Sequence, residues 1–273
     1  RRVLFRSGSY YAFCFWIGFA VIGIADLLKS FLKDHRIAAS VASLICLSAP
    51  VIMAKEGWDD HDRSGRLYSV DSAKNYLESC APDAILFTGG DNDTFPLWYA
   101  QEVEGIRTDV RVVNLSLLQT DWYIKQMRRA AYDSKPVPFS IPEEKLEGDK
   151  MEYVIVNTQN ANPMNLKDAM KSVVSEDPNL KYDTGAELID VLPAKNLYVD
   201  VDSVAILKNK VLNPEDMNRF EKRISWDLGS RNYIVKNDLM VLDLIANNNW
   251  ERPIYFAVTT GDDAYVGLKK YFQ

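Results

Sequence analysis

Two long stretches near the start of the chain contain no charged residue and are mostly apolar. They read GSYYAFCFWIGFAVIGIA (8–25) and IAASVASLICLSAPVIMA (37–54). Each is close to the roughly 20 residues that a helix needs to cross the hydrocarbon core of a bilayer. Buried core helices are the alternative, but such helices normally keep a polar stripe. The pattern therefore predicts two transmembrane helices, over about residues 9–28 and 37–54.

The charges around these stretches predict an orientation. The joining loop carries Lys29, Lys33 and Arg36, whereas the segment after the second stretch is more acidic. The positive-inside rule places a short basic loop in the cytoplasm. We therefore expect a multi-pass protein of the inner (cytoplasmic) membrane, with residues 55–273 forming an extracytoplasmic domain on the periplasmic side.

Both ends of the chain read as open. Residues 1–7, RRVLFRS, match the translation of a common sequencing-library adapter, and we expect them to be foreign to the protein. The sequence stops at LKKYFQ, inside a helical pattern. We therefore expect a fragment that is truncated at the C-terminus.

Residues 55–273 alternate between strand and helix patterns. AILFT (84–88) is typical of a short buried strand, and DVRVVNLSLL (109–118) predicts a second one. The helix between them is expected to be capped by Asp93 or Thr94 and to stop at Gly105, and Asp121 to cap the next helix. A strand, helix and strand at this spacing predict parallel neighbours.

The remainder is less regular but follows the same alternation. We predict an α/β domain with a mainly parallel sheet, one sheet being the default, and a subdivision near residues 140–150 stays open. The other predicted strands lie in 152–157, 196–202 and 252–263, and the other predicted helices are 165–177 (capped by Asn165), 214–223 and 237–248.

Acidic residues cluster in loops that follow predicted strands. The loops are Gly89–Asp93, Gln119–Asp121 and Thr259–Asp263. Ligands of open parallel sheets bind beyond the carboxyl ends of the strands, so Asp91, Asp93, Asp121 and Asp262 face one cleft if their strands are neighbours. A substrate role, a hard-cation site and purely structural turn or cap bonds are all compatible with Asp91 and Asp93. We expect no metal and no cofactor, and the catalytic residues are unknown.

Composition narrows the chemistry. The net charge of −6 argues against a nucleic-acid partner, which would need a basic face. His35 and His61 are the only histidines, which removes most histidine-based acid–base schemes. Five aromatic residues are candidates for stacking on sugar rings or, alternatively, for the core: Trp98, Trp122, Tyr123, Trp226 and Trp250.

Several motifs resemble one known family. They are Gly90-Asp91, EGIRTDV (104–110) and DWY (121–123), joined by GWDDHDRSGR (57–66) and NNNWERPIYFA (248–257). The chain resembles the C-terminal part of bacterial multi-pass membrane proteins of the protein O-mannosyltransferase-like family. Arg107 and Trp122, which lie in these motifs, join the ligand-binding candidates.

The resemblance implies a GT-C type glycosyltransferase that uses a polyprenyl-phosphate sugar on the outer face of the membrane. The catalytic acid is then expected upstream of this fragment. The partners implied are the lipid bilayer, the lipid-linked sugar and an acceptor protein or glycan, with this part as an accessory or acceptor-positioning domain. A non-catalytic membrane-anchored binding or assembly module, and an independent nucleotide-sugar enzyme using Asp91 and Asp93, are the alternatives.

Overall fold

A computed structural model describes residues 2–62, 64–218 and 220–272, with the side chains of residues 2–7 and 10 left out. The chain forms two compact units, Arg1–Leu67 and Tyr68–Gln273.

The first unit consists of two apolar helices. Helix α1 spans Arg2–Leu28 and α2 spans His35–His61, with Asp34 capping α2 by accepting a hydrogen bond from the Arg36 amide at 2.8 Å. By length and composition both are able to cross a bilayer, and few of their side chains are buried within the protein. The two predicted apolar helices are therefore confirmed. The helical geometry of residues 2–7 does not bear on their origin, which stays a prediction.

The second unit is a mixed α/β domain, which confirms the predicted fold class. Its helices are α3 (Tyr68–Ser79), α4 (Asp91–Glu102), α5 (Asp121–Met127), α6 (Leu166–Val173), α7 (Ser203–Lys208) and α8 (Lys236–Asn247). Its strands are β1 (Ile85–Thr88), β2 (Arg111–Asn114), β3 (Tyr153–Val156), β4 (Met164–Asn165), β5 (Lys181–Asp183), β6 (Leu188–Leu192), β7 (Asn196–Asp200), β8 (Arg223–Asp227), β9 (Tyr233–Val235) and β10 (Ile254–Phe256).

The first sheet contains the predicted strand–helix–strand unit. Its order is β10-β1-β2, and both neighbours run parallel to β1, with Ile85 paired to Ile254 on one side and to Arg111 on the other. Leu86 packs into a small core together with residues of α3 and α4, whereas Ile85 and Phe87 face the larger core that includes α8. Burial on both faces explains why β1 is an almost continuous apolar run.

The expectation of one sheet is wrong, because the strands are divided among three sheets. The second has the order β5-β6-β3-β9 and the third β4-β7-β8. Each contains an antiparallel pair of strands that follow one another along the described chain, β5 with β6 and β7 with β8. A short turn joins β5 to β6, as antiparallel neighbours allow, whereas α7 and a 3-10 turn lie between β7 and β8.

Two helix predictions need correction. Residues 214–223 were expected to form a helix, but Pro214–Asp216 make a single 3-10 turn and Arg223 begins β8, where it pairs with Asp200. Cross-strand pairing outweighs the local helix pattern here; Arg219 lies outside the described residues. Helix α4 begins at Asp91 with Gly90 as its N-cap, so neither Asp93 nor Thr94 caps it.

Candidate functional site

The carboxyl ends of β10, β1 and β2 bring two of the three acidic loops into contact. The Thr259 hydroxyl donates a short hydrogen bond to the Asp93 carboxylate, which joins the loop after β10 to the loop after β1. Tyr76 of α3 bonds to Thr259 at the same place, and burial together with the charge of Asp93 raises the pKa of its hydroxyl. We call this region the first-sheet edge. Strands β1 and β10 are neighbours, which was the condition for the loops that follow them to face one cleft.

The side chains of Thr88, Thr94 and Asn114 form a buried hydrogen-bond network next to the first-sheet edge. The Thr94 hydroxyl donates to the Gly90 carbonyl at 2.7 Å and accepts from the Asn114 amide group at 2.8 Å, and it lies 2.7 Å from the Thr88 hydroxyl. The Asn114 side-chain oxygen accepts from the Leu117 amide at 2.9 Å. Thr94 is therefore part of a buried network, which explains why it does not serve as the helix cap.

Asp91 and Asp93 lie in the first turn of α4. Negative side chains there interact favourably with the partial positive charge of the helix N-terminus. Asp91 is exposed, and Asp93 is held by Thr259. Within residues 2–62, 64–218 and 220–272, no group of three or more His, Cys, Asp or Glu side chains is placed to hold a metal ion.

Asp121 and Asp262 bond to different residues from the one that binds Asp93. Asp262 forms an ion pair with Lys269 at 2.5 Å. The Asp121 carboxylate accepts hydrogen bonds from the Trp122 amide at 2.7 Å and from the Gly148 amide at 3.5 Å. The structure thus brings Asp93 to Thr259 but gives Asp121 and Asp262 separate partners. Asp121 is also the first residue of α5 rather than its cap, because Thr120 is the N-cap residue.

Arg107 uses its donors within the fold. Its guanidinium makes two bonds to Asp109, at 2.8 and 2.9 Å, and donates to the carbonyls of Leu77, Cys80 and Ala81 at the end of α3. The Arg107 hydrogen bond lowers the pKa of Asp109 to about 2. The EGIRTDV motif therefore builds a turn that holds the C-terminal end of α3.

Arg252, in the NNNWERPIYFA motif, also binds backbone. Its side chain is 5% exposed and donates to the carbonyls of Asp83, Ala84, Lys135 and Pro136. This arginine fixes the segment after α5 against the start of β1. The arginine of each of these two motifs thus has a structural role within the fold.

In the DWY motif, Tyr123 is part of the core and Trp122 is exposed. Tyr123 is buried, and its hydroxyl accepts a hydrogen bond from the backbone amide of Asn114 at 2.9 Å. Burial raises the pKa of the Tyr123 hydroxyl to about 12. Trp122 is 55% exposed and lines a cavity of about 200 Å³. The complete lining of this Trp122 cavity is Asp121, Trp122, Ile124, Lys125, Glu143, Leu146 and Glu147.

The 142–153 segment also lines a second, larger cavity of about 820 Å³. Both cavities share Glu147. Two of its three lysines are engaged by carboxylates, since Lys181 bonds to Asp190 at 2.9 Å and Lys145 bonds to Glu176, and Lys150 donates to the Glu144 carbonyl at 2.8 Å. The sequence indicated Asp121 and Trp122 but not the other lining residues of either cavity, because residues 142–151 have no periodic pattern and carry no motif. A cluster of acids in a proline-punctuated connection was the one signal present.

A pair of apolar helices followed by a mixed α/β domain indicates a membrane-associated protein, and the exposed Trp122 indole lies beside a small surface cavity. Residues 69–273 match the family described as TMEM260-associated domain 2, and the chain belongs to this family.

Among characterised proteins, the chain is 28% identical over 115 residues to the Protein O-mannosyl-transferase TMEM260 of Mus musculus. That alignment covers 40% of the chain and 16% of the mouse protein. No solved structure matches the chain. The resemblance to an O-mannosyltransferase-like family, expected from the motifs, is thereby confirmed.

Proposed function

We propose that this chain is part of a bacterial membrane glycosyltransferase of GT-C type, in which the domain from Tyr68 onward positions the acceptor. The observation that carries the proposal is the match of residues 69–273 to a family associated with a mouse protein named an O-mannosyl-transferase. The two apolar helices support a membrane location.

The proposed placement is multi-pass in the inner membrane, with the α/β domain on the periplasmic side. It rests on the basic loop between α1 and α2, through the positive-inside rule. The proposed partners are the bilayer, a polyprenyl-phosphate sugar and an acceptor protein or glycan. The net charge of −6 supports the exclusion of nucleic acid.

The structure supports an accessory role over catalysis by this part. Among the described residues, three of the four candidate acids have separate partners, since Asp93 bonds to Thr259, Asp262 to Lys269 and Asp121 to the Gly148 amide, whereas Asp91 is exposed. A pair of carboxylates sharing one reacting atom would need them close together. We propose that the catalytic acid lies upstream in the full-length protein, as the family resemblance implies.

The test compares membranes that contain the full-length protein with membranes in which residues 68–273 are deleted. We expect the full-length protein to transfer sugar from a polyprenyl-phosphate donor to acceptor, and the deletion to lose transfer to the acceptor. Detection of the deleted protein in the membrane fraction at equal amount is the control. Equal transfer by both proteins would contradict the positioning role.

The second candidate function is a non-catalytic membrane-anchored binding or assembly module, which further experiments separate from the first. The use of Arg107 and Arg252 for folding is what favours this second candidate. A glycoprotein profile unchanged by loss of the whole gene would support it. Transfer from a nucleotide sugar by the purified chain, lost in Asp91→Asn, would instead support an independent enzyme.

A further inference from the structure

Of the five aromatic residues that the sequence offered for sugar stacking, the fold leaves Trp122 the most open. Tyr123 and Trp226 are buried, and Trp98 and Trp250 are partly buried. Trp122 is 55% exposed, although a large indole normally gains most from burial. Its edge-to-face contact with the Tyr123 ring, at 5.5 Å between centroids, leaves much of its surface free.

The Trp122 cavity has an apolar floor and a polar rim. Ile124 and Leu146, both buried in the larger core, form the floor. Carboxylates and an ammonium group form the rim, contributed by Asp121, Lys125, Glu143 and Glu147. At about 200 Å³ the cavity is smaller than the roughly 300–1,000 Å³ of drug-sized ligand sites, so it suits a single ring.

The rim is held in place before any ligand arrives. Lys125 and Glu143 form an ion pair at 3.0 Å, and this bond lowers the pKa of Glu143. The buried ammonium of Lys236 donates to the carbonyls of Leu146 and Gly148, at 3.0 and 3.2 Å, and so fixes the 146–148 segment, two residues of which line the cavity. A site whose groups are already ordered loses less conformational entropy on binding.

This combination matches one class of ligand. A pyranose ring has an apolar face of C–H groups and a periphery of hydroxyl groups. The apolar face packs well on an aromatic ring, and the hydroxyl groups donate hydrogen bonds that carboxylate oxygens accept well. A nucleotide or phosphate would meet three carboxylates and one lysine, an unfavourable balance of charge.

We propose that the Trp122 cavity binds a sugar ring, with the ring face stacked on Trp122 and its hydroxyl groups bound by Asp121, Glu143 and Glu147. The identity of this ligand as the carbohydrate part of donor or acceptor rests on the proposed function. The stacking site itself rests on the geometry of the cavity.

The test is a titration of the full chain with methyl α-D-mannopyranoside, followed by ligand-observed NMR in a detergent without a sugar headgroup. We expect saturable binding by the wild type, at least about tenfold weaker binding by Trp122→Ala, and an intermediate affinity for Trp122→Phe. Glu147→Gln, on the exposed rim, is expected to weaken binding severalfold with no loss of folded protein.

The matched control is Tyr182→Ala, because Tyr182 has the same 55% exposure and does not line the cavity. It should bind as the wild type does. Absence of binding by the wild type to mannoside, galactoside and glucoside probes, or equal binding by Trp122→Ala and wild type, would overturn the proposal.

The outcome is separable from that of the proposed function. Sugar binding that depends on Trp122 supports this inference even if the full-length protein transfers no sugar. Transfer that needs residues 68–273, without sugar binding by the chain, would overturn this inference and leave acceptor positioning in place.

Discussion

The first-sheet edge and the Trp122 cavity begin from the same kind of sequence and end differently. Each includes a polar loop that follows a strand of the first sheet, β1 for the loop with Asp93 and β2 for the loop with Asp121. At the first-sheet edge, Thr94, Asn114 and Thr259 bond to neighbouring protein groups. In the Trp122 cavity the indole and Glu147 are exposed, while the carboxylates of Asp121 and Glu143 each have a protein partner and keep acceptor positions free for a ligand.

The difference teaches how to separate structural from ligand-binding polar residues. A polar side chain whose donors and acceptors are satisfied within the fold has little left for a ligand. Arg107 and Arg252 belong with the first-sheet edge by this criterion, since both donate to several backbone carbonyls. Trp122 does not.

The largest effect is expected from Asn114→Ala. The change removes the donor to Thr94 and the acceptor of the Leu117 amide in a site that is 1% exposed. We expect a loss of about 2–4 kcal/mol in the free energy of unfolding, because buried groups are left without partners. Urea denaturation of the full chain in detergent measures it. Asn92→Ala, at the same edge but exposed, is the control, and an equal effect of the two changes would contradict the network.

The second effect depends on pH and tests whether the Arg107 turn is structural. The pKa of Asp109 is about 2 in the folded protein, below its ordinary 3.8. Its contribution is therefore fully present above about pH 5 and is lost as the pH falls through 4 towards 2.

We expect Asp109→Asn to lower stability by about 2 kcal/mol at neutral pH and to converge with the wild type near pH 2. Unfolding curves at a series of pH values check this. A constant difference across the whole range would show that the ion pair is not the cause.

The smallest effect is expected from Thr259→Val. Its hydrogen bond to Asp93 lies at the exposed end of the sheet, so we expect a loss of about 0.5 kcal/mol. A double-mutant cycle with Asp93→Ala isolates the pair. A coupling energy above about 2 kcal/mol would mean that the first-sheet edge is more rigid than its exposure suggests.

Sequence patterns located elements more successfully than sites. The β1–α4–β2 unit, α8 and the Asn165 cap of α6 were predictable, because each rests on local periodicity or on a cap within a few residues. The division into three sheets was not, since pairing between distant strands leaves little local trace.

The site residues show the same limit. Asp121 and Trp122 were named from a motif, but the groups that complete their cavity, Glu143, Leu146 and Glu147, come from an irregular connection about 20 residues further on. Arg107 was named from a motif too, and its role became clear only from its contacts with the end of α3. A motif indicates which residues matter, but only the contacts in the structure show which interaction each of them makes.

The most direct test of the account compares two variants of the full chain in one sugar titration. Trp122→Ala alters the cavity, and Asp93→Asn alters the first-sheet edge. The account predicts that Trp122→Ala loses at least about tenfold in affinity for methyl α-D-mannopyranoside while Asp93→Asn binds as the wild type does. Weakened binding by Asp93→Asn together with unchanged binding by Trp122→Ala would contradict it.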